Sequence, residues 1–427
     1  MSKPTFQAGM DPHTYCLQVA QLAKVASRQL ACVSSTLKNQ WLGCTADRLL
    51  ASEGAVLEAN RQDLEHAKSV GLAEALIDRL TLTPRRLSAM ATGMRSVAAM
   101  PDPIGQVIDG HVRPNGMELR KIRVPLGVLF FIYESRPNVT TDAASLAIKS
   151  GNAIILRGGK EVSASNRALH KVMREACWEV GLPEECIMLI SETDRELVRQ
   201  MLRLGDLIDL TIPRGGESLI REVAAHATMP VLKHYRGNCH MYIDRAADLE
   251  MAWELVVNAK CQRPGTCNAL ESLLVHQELA GRFLTRMDQL FQKHKVQVLA
   301  CPRSLPWLPS AQCASEEDYH TEFLDLRISV KVVDSVQDAM THIDRYGSHH
   351  TDAIITSDLT TAQNFIRQVD SAAVLVNAST RLHDGYEFGL GAEIGISTDK
   401  FHARGPCGLV ELTSYKYVVL GSGQLRQ

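Results

Sequence analysis

The stretch VLFFIYESRPNVTTDAASLAIKSGNAIILRGG, Val128 to Gly159, decides the architecture. Val128 to Ile132 is an unbroken apolar run, the pattern of a strand covered on both faces. Thr141 to Ser150 continues at helical spacing and stops at Gly151, a residue suited to the left-handed backbone at a helix end. Ala153 to Leu156 is a second apolar run. Strand, helix, strand is a βαβ unit, because parallel strands need a long crossover to return the chain to the same edge.

The alternation extends downstream. Helices are expected at Ser163–Val180, Arg195–Leu204 and Glu217–His226, with strands at Ile187–Ile190 and Leu207–Ile212. After Gly237 it resumes with strands at His240–Ile243, Leu270–His276, Ile328–Val333, Ala353–Ile355 and Ala373–Val376. Helices over Ala247–Ala259, Leu279–His294, Val336–Arg345 and Thr361–Val369 separate them. Cys301 to Cys313, with Pro302, Pro306 and Pro309, reads as an irregular insertion. Upstream, Leu17 to about Leu87 is helical, with Ser35 as a candidate cap and a break near Gly71. Between Pro103 and Val124, Gly105, Gly110, Pro114 and Gly116 interrupt alternating apolar residues, which predicts a projecting hairpin. The fold class is therefore α/β, with two doubly wound domains and a small hairpin element.

A chain of 427 residues has room for two or three domains. Its 45% hydrophobic and 22% charged residues are globular values. Forty-six Lys plus Arg against 48 Asp plus Glu leave a net charge of -2, so no global field recruits nucleic acid or an anionic membrane. The longest apolar stretch, Val128 to Tyr133, is too short to span a bilayer. Met1 to Cys16 carries Pro4, Asp11, Pro12 and His13 where a signal peptide would be apolar. A cytoplasmic protein with reduced thiols is expected, and its 11 scattered cysteines agree.

Within QRPGTCNALES, Gln262 to Ser272, Cys267 follows Pro264 and Gly265 and precedes an apolar strand. By residue pattern alone it is either a nucleophile on a strand-edge loop or a buried, inert thiol. Gly389, Leu390, Gly391 and Gly395 lack the spacing and the strand-to-helix setting of a dinucleotide fingerprint. Cys301, Cys313 and His320 lack metal-ligand spacing, so no metal is expected.

Five blocks carry a resemblance: KIRVPLGVLFFIYESRPNVT (Lys121 to Thr140), KSGNAIILRGGKE (Lys149 to Glu161), IPRGG (Ile212 to Gly216), NAKCQRPGTCNALESLLVH (Asn258 to His276), and VNASTR, FGLGAEIGIST and HARGP between Val376 and Pro406. In order, from about Leu17 to Val418, the chain resembles the gamma-glutamyl phosphate reductases of the aldehyde dehydrogenase superfamily. The resemblance implies NADPH-dependent reduction of L-glutamate 5-phosphate to L-glutamate 5-semialdehyde with release of phosphate, the second step of proline synthesis from glutamate. It implies that Cys267 is the nucleophile and that Asn138 donates to the oxyanion; by pattern alone Asn138 could instead satisfy loop backbone after Pro137.

The same resemblance places the cofactor, NADPH or NADP, against Arg157, Lys160, Gly215 and Gly216, with Glu322 on the nicotinamide ribose. Two cations at 157 and 160 suit a 2'-phosphate, or are a basic turn in water. Arg136 is the candidate phosphate partner, and Ser379, Thr380 and Arg381 the candidate carboxylate anchors; either arginine could instead serve only its loop or the surface. Members that oxidise aldehydes to acids carry a glutamate before paired glycines as base for water. The corresponding VLKHYRGNC, Val231 to Cys239, holds no carboxylate, which favours a reductase. It is also more basic than the Gly-rich form of many members, which leaves Lys233, His234 and Arg236 as substrate contacts or a solvated loop.

The implied division is a cofactor-binding domain over 1–102 and 125–237, a catalytic domain over 238–400, and an oligomerisation element from 103–124 and 401–427. A homo-oligomer is expected, with transient contact to a separate glutamate kinase. A hydrolytic aldehyde dehydrogenase and a catalytically silent partner of the kinase are the competing readings.

Overall fold

The computed structural model describes residues 10–426. The first nine residues, where part of the leader reading and of the first domain assignment fall, and Gln427 lie outside the described residues. Two compact units make up the chain. The first comprises Met1–Lys233, Leu390–Gly395 and Cys407–Gln427; the second comprises His234–Gly389 and Ile396–Pro406.

In the first unit, strands β1 (Val107–Val112) and β2 (Glu118–Pro125) form the expected hairpin. The C-terminal strand Thr413–Leu420 adds antiparallel to β2, with Tyr417 opposite Lys121, and completes a three-stranded sheet. Every residue of β1 is exposed. A separate four-stranded sheet is wholly parallel and is built from β3 (Val128–Tyr133), β4 (Ala153–Gly158), β5 (Ile187–Leu189) and β6 (Leu210–Arg214), in the order β5, β4, β3, β6. All six residues of β3 are buried, as its unbroken apolar run requires. Helices Asn138–Lys149, Ser163–Val180 and Arg195–Met201 belong to its crossovers, and Glu217–His226 follows β6.

Three expectations shift. β6 begins at Leu210 rather than Leu207, because Leu207 and Ile208 donate to the Leu204 carbonyl in a turn. The helix expected from Thr141 already starts at Asn138. The cap in the helical preamble is Ser34, whose Oγ accepts from Leu37 N at 3.3 Å, and Ser35 is the first helical residue.

The second unit holds a seven-stranded parallel sheet. Its strands are β7 (Cys239–Ile243), β8 (Leu270–His276), β9 (Gln297–Ala300), β10 (Gln312–Cys313), β11 (Arg327–Val333), β12 (Thr351–Ile355) and β13 (Ala373–Val376), in the order β10, β9, β11, β8, β7, β12, β13. β8, buried at all seven positions, lies between β7 and β11. Sequence patterning missed β9 and β10, since four and two residues give no measurable period. The insertion after Cys301 contains one short 3₁₀ turn, Leu305–Trp307, before β10. Among the described residues, no helix is long and apolar enough to cross a membrane.

Candidate active site

The first unit carries a cleft of about 780 Å³ beside the C-terminal ends of β3 and β4. Ligands favour this end of an open parallel sheet, where loops and helix N-termini converge. Arg157, Gly159 and Lys160 from the loop after β4 line it, with Glu134 and Ser135 from the loop after β3 and Arg195 and Arg199 from the helix Arg195–Met201. Arg157 is half-buried and donates to the carbonyl oxygens of Gly158 at 2.8 Å and Thr193 at 3.1 Å. Burial lowers its pKa from the usual guanidinium value. Lys160 is exposed at the start of a single 3₁₀ turn.

Gly215 and Gly216 precede the helix Glu217–His226. A carboxylate already stands there: Glu134 Oε2 accepts from Gly216 N at 3.0 Å. A Cβ built on Gly215 would lie 2.5 Å from that oxygen, so a side chain there would push the Glu134 carboxylate aside. Glu161 secures the neighbouring turn by accepting from Ser135 N at 2.8 Å and Ser135 Oγ at 2.9 Å. Ser135 itself has φ 49°, a left-handed backbone uncommon outside glycine. Arg136 and Pro137 follow, and Asn138 opens its helix. The Asn138 amide donates to Asp142 Oδ2 at 2.9 Å, one helical turn on, which fixes its orientation and leaves one N–H of the same nitrogen for another acceptor. Burial pushes the Asp142 carboxyl up to about 6, against the effect of that hydrogen bond.

In the second unit, Cys267 sits half-buried on the turn between the helix Leu249–Cys261 and β8. Gly237 presses against it. A Cβ at Gly237 would overlap the Cys267 carbonyl oxygen and lie 2.6 Å from its Cα, so no side chain fits there without moving the thiol's backbone. Gly237 N donates to Glu322 Oε1 at 2.8 Å, and Cys239 Sγ donates to the Cys267 carbonyl at 3.1 Å. Glu322, expected on a ribose, thus braces the loop beside Cys267. Arg236, from the same loop, donates to the His320 carbonyl at 3.2 Å.

The Arg381 guanidinium donates from Nε to Gln262 Oε1 at 2.9 Å and from Nη1 to Asn268 Oδ1, next in sequence to the nucleophile. Its charge also interacts with Cys267. Ser379 is buried and its Oγ accepts from Arg381 N, while Thr380 is fully buried. These two residues frame the arginine, and their hydroxyls face the interior. Glu271, four residues beyond Cys267, forms a fully buried ion pair with Lys260 at 2.7 Å. Burial raises Glu271 to about 7 and lowers Lys260. Its commitment to this pair, deep in the unit, removes Glu271 as a free base for water.

The aldehyde dehydrogenase family model matches residues 34–301. Two relatives called gamma-glutamyl phosphate reductase, from Rhodopirellula baltica and Moorella thermoacetica, are 54% and 50% identical to this chain. The alignments cover 96% of this chain and 95% of the first relative, and 95% of this chain and 97% of the second. A crystal structure of gamma-glutamyl phosphate reductase from Thermotoga maritima is 45% identical and superposes with a TM-score of 0.95 over 96% of this chain and 100% of that one. The chain belongs to the gamma-glutamyl phosphate reductases of the aldehyde dehydrogenase family.

Two features of this family member escape a reading of motifs. Arg195 and Arg199 add cations to the cleft, and only the helix register brings them beside Arg157. His234 lies with His350 beside Cys267: one ring nitrogen of each and Cys267 Sγ are all within 4.8 Å of one another. The positions are 33 and 83 residues from Cys267 in sequence, so no local spacing announces them.

Proposed function

We propose that the chain reduces L-glutamate 5-phosphate to L-glutamate 5-semialdehyde with NADPH, releasing phosphate, as the second step of proline synthesis from glutamate. The observation that carries this reading is the likeness to the relatives of that name across nearly the whole chain. The Cys267 thiolate attacks the acyl phosphate carbon, the carbon–oxygen bond to phosphate breaks, and a thioester forms on the enzyme. Asn138 and the Cys267 backbone N–H donate to the oxygen that gains charge at each tetrahedral stage. Arg381 holds the substrate carboxylate, framed by Ser379 and Thr380, and Arg136 meets the phosphate.

The cleft of the first unit fits a dinucleotide in size, in its cations and in the glycine-lined helix start at Gly215 and Gly216. Arg157 and Lys160 take the 2'-phosphate, and Glu322 turns from Gly237 to the ribose. Bound NADPH supplies hydride to the thioester carbon. Collapse of the thiohemiacetal then returns the thiolate and frees the aldehyde.

The 1–102 and 125–237 segments bind cofactor, 238–400 holds the nucleophile, and the exposed sheet from 103–124 and 401–427 joins copies of the chain into a homo-oligomer. The enzyme works in the cytoplasm, free of metal in its catalytic state, and takes its labile substrate from a separate glutamate kinase in transient contact.

The loop from Val231 to Cys239 supplies no carboxylate to activate water, so the thioester partitions to phosphate or hydride. The test runs the reaction backwards with semialdehyde and NADP. With phosphate, turnover is sustained; without it, at most a single-turnover burst of NADPH is expected. Multiple-turnover formation of glutamate without phosphate would overturn the reductase reading in favour of a hydrolytic dehydrogenase.

A further inference from the structure

Among the described residues, one group of three metal-ligating side chains stands together: His234, Cys267 and His350. We propose that this trio binds a soft divalent cation, zinc by the chemistry of its donors, and that binding reversibly closes the nucleophile. A thiolate and two imidazoles are a donor set zinc prefers, and three protein ligands leave a fourth position for water or an anion. Zinc bonds of about 2.0 to 2.3 Å in a tetrahedron place ligands about 3.3 to 3.8 Å apart. The present spacing, within 4.8 Å, requires a contraction of roughly 1 to 1.5 Å at most. His234 and Cys267 are half-buried and on loops, so they can move toward the buried His350.

The surroundings orient both rings as metal ligands are oriented. His234 Nδ1 lies 2.9 Å from the Ile396 carbonyl oxygen. A carbonyl only accepts, so Nδ1 carries the proton and the lone pair is on Nε2. His350 Nδ1 lies 2.7 Å from Thr351 Oγ1, which lies 2.7 Å from His383 Nδ1. A hydroxyl has one proton to give, so at most one imidazole accepts from Thr351 and at least one donates to it. With His350 donating, its Nε2 presents the lone pair that a metal takes and His383 accepts from Thr351. Burial holds His383 down to about 4, neutral as that arrangement needs.

The Arg381 charge acts on Cys267 and opposes a cation there, which keeps binding reversible instead of structural. Zinc binding exchanges the thiol proton for a sulfur–zinc bond and releases that proton to solvent. A sulfur lone pair committed to zinc cannot attack an acyl phosphate. The sequence expectation of no metal rested on Cys301, Cys313 and His320, a different set.

The test uses the full chain without substrate or cofactor, so it reads metal binding independently of the reductase assignment. Equilibrium dialysis with zinc chloride should give one equivalent per chain, and cobalt chloride should give a sulfur-to-cobalt charge-transfer band. Cys267→Ala should abolish the band, and His234→Gln should weaken binding by about 10- to 100-fold, with thermal melts reporting on the fold. In the unaltered chain, zinc should slow alkylation of Cys267 by iodoacetamide in proportion to occupancy, and EDTA should restore the rate. Survival of the band in Cys267→Ala, alkylation of Cys267 at the metal-free rate in zinc-loaded protein, or no zinc uptake at all would each overturn the proposal.

Discussion

The cleft of the first unit and the turn that carries Cys267 in the second are built by opposite means. In the cleft, charged side chains hold one another: Arg199 pairs with Glu222 at 3.1 Å, and Glu161 and Glu134 hold backbone N–H groups. Around Cys267, the closest constraints are backbone to backbone, with Gly237 against the nucleophile's own carbonyl. Charged side chains on a surface can relax when one is lost, because water replaces the partner. Backbone packed on backbone cannot. The binding half should therefore respond to substitution in graded steps, and the nucleophile half abruptly.

The largest effect is expected at Cys267. Cys267→Ala should lower turnover by at least about 10⁴-fold with an unchanged melting temperature, since the covalent step vanishes while the turn remains. Retention of substantial activity would break the comparison at its root. Next comes Gly237→Ala, a single added methyl. It should displace the Cys267 backbone and reduce kcat by about 10²-fold, the scale of an ångström's misplacement, and change the alkylation rate of Cys267 as well. A wild-type kcat in this variant would show that the loop yields and that the contact does not position the thiol. The smallest effect is expected in the cleft. Arg157→Gln combined with Lys160→Gln should raise the Kd for NADPH by about 10- to 100-fold, the lower part of the range for charged contacts given that Lys160 is exposed, and leave NADH nearly unaffected. Equal weakening of both cofactors would remove these cations from recognition of the 2'-phosphate.

Legibility in the sequence divides along the same line. The strands that patterning found best, such as β3 and β8, are those whose burial is uniform along their length. The short strands β9 and β10 were lost because their existence depends on neighbours brought in by the sheet. The place of Cys267 on a turn was legible because proline and glycine before it mark a turn and an apolar run after it marks a strand. The companions of Cys267 were not. His234 lay in a loop whose chemistry sequence left open between substrate contact and solvent, and His350 opens the approach to β12 far along the chain. Glu322 was legible as a carboxylate in a family position, yet its partner, Gly237 N, is a backbone group that no side-chain pattern encodes.

Glu134 gives the cleft a property that a simple empty pocket lacks. Its carboxylate occupies the Gly216 N–H at the start of the helix, so an anion arriving there has to evict a tethered competitor. Occupancy becomes an exchange with a threshold. Free phosphate or sulfate brings only its charge and must compete against a carboxylate held at high local concentration by the chain itself. A dinucleotide bound as proposed would also grip the cleft elsewhere and could cross the threshold. The residue that looks like an obstruction therefore acts as a filter, sorting ligands by how many parts of the cleft they engage at once.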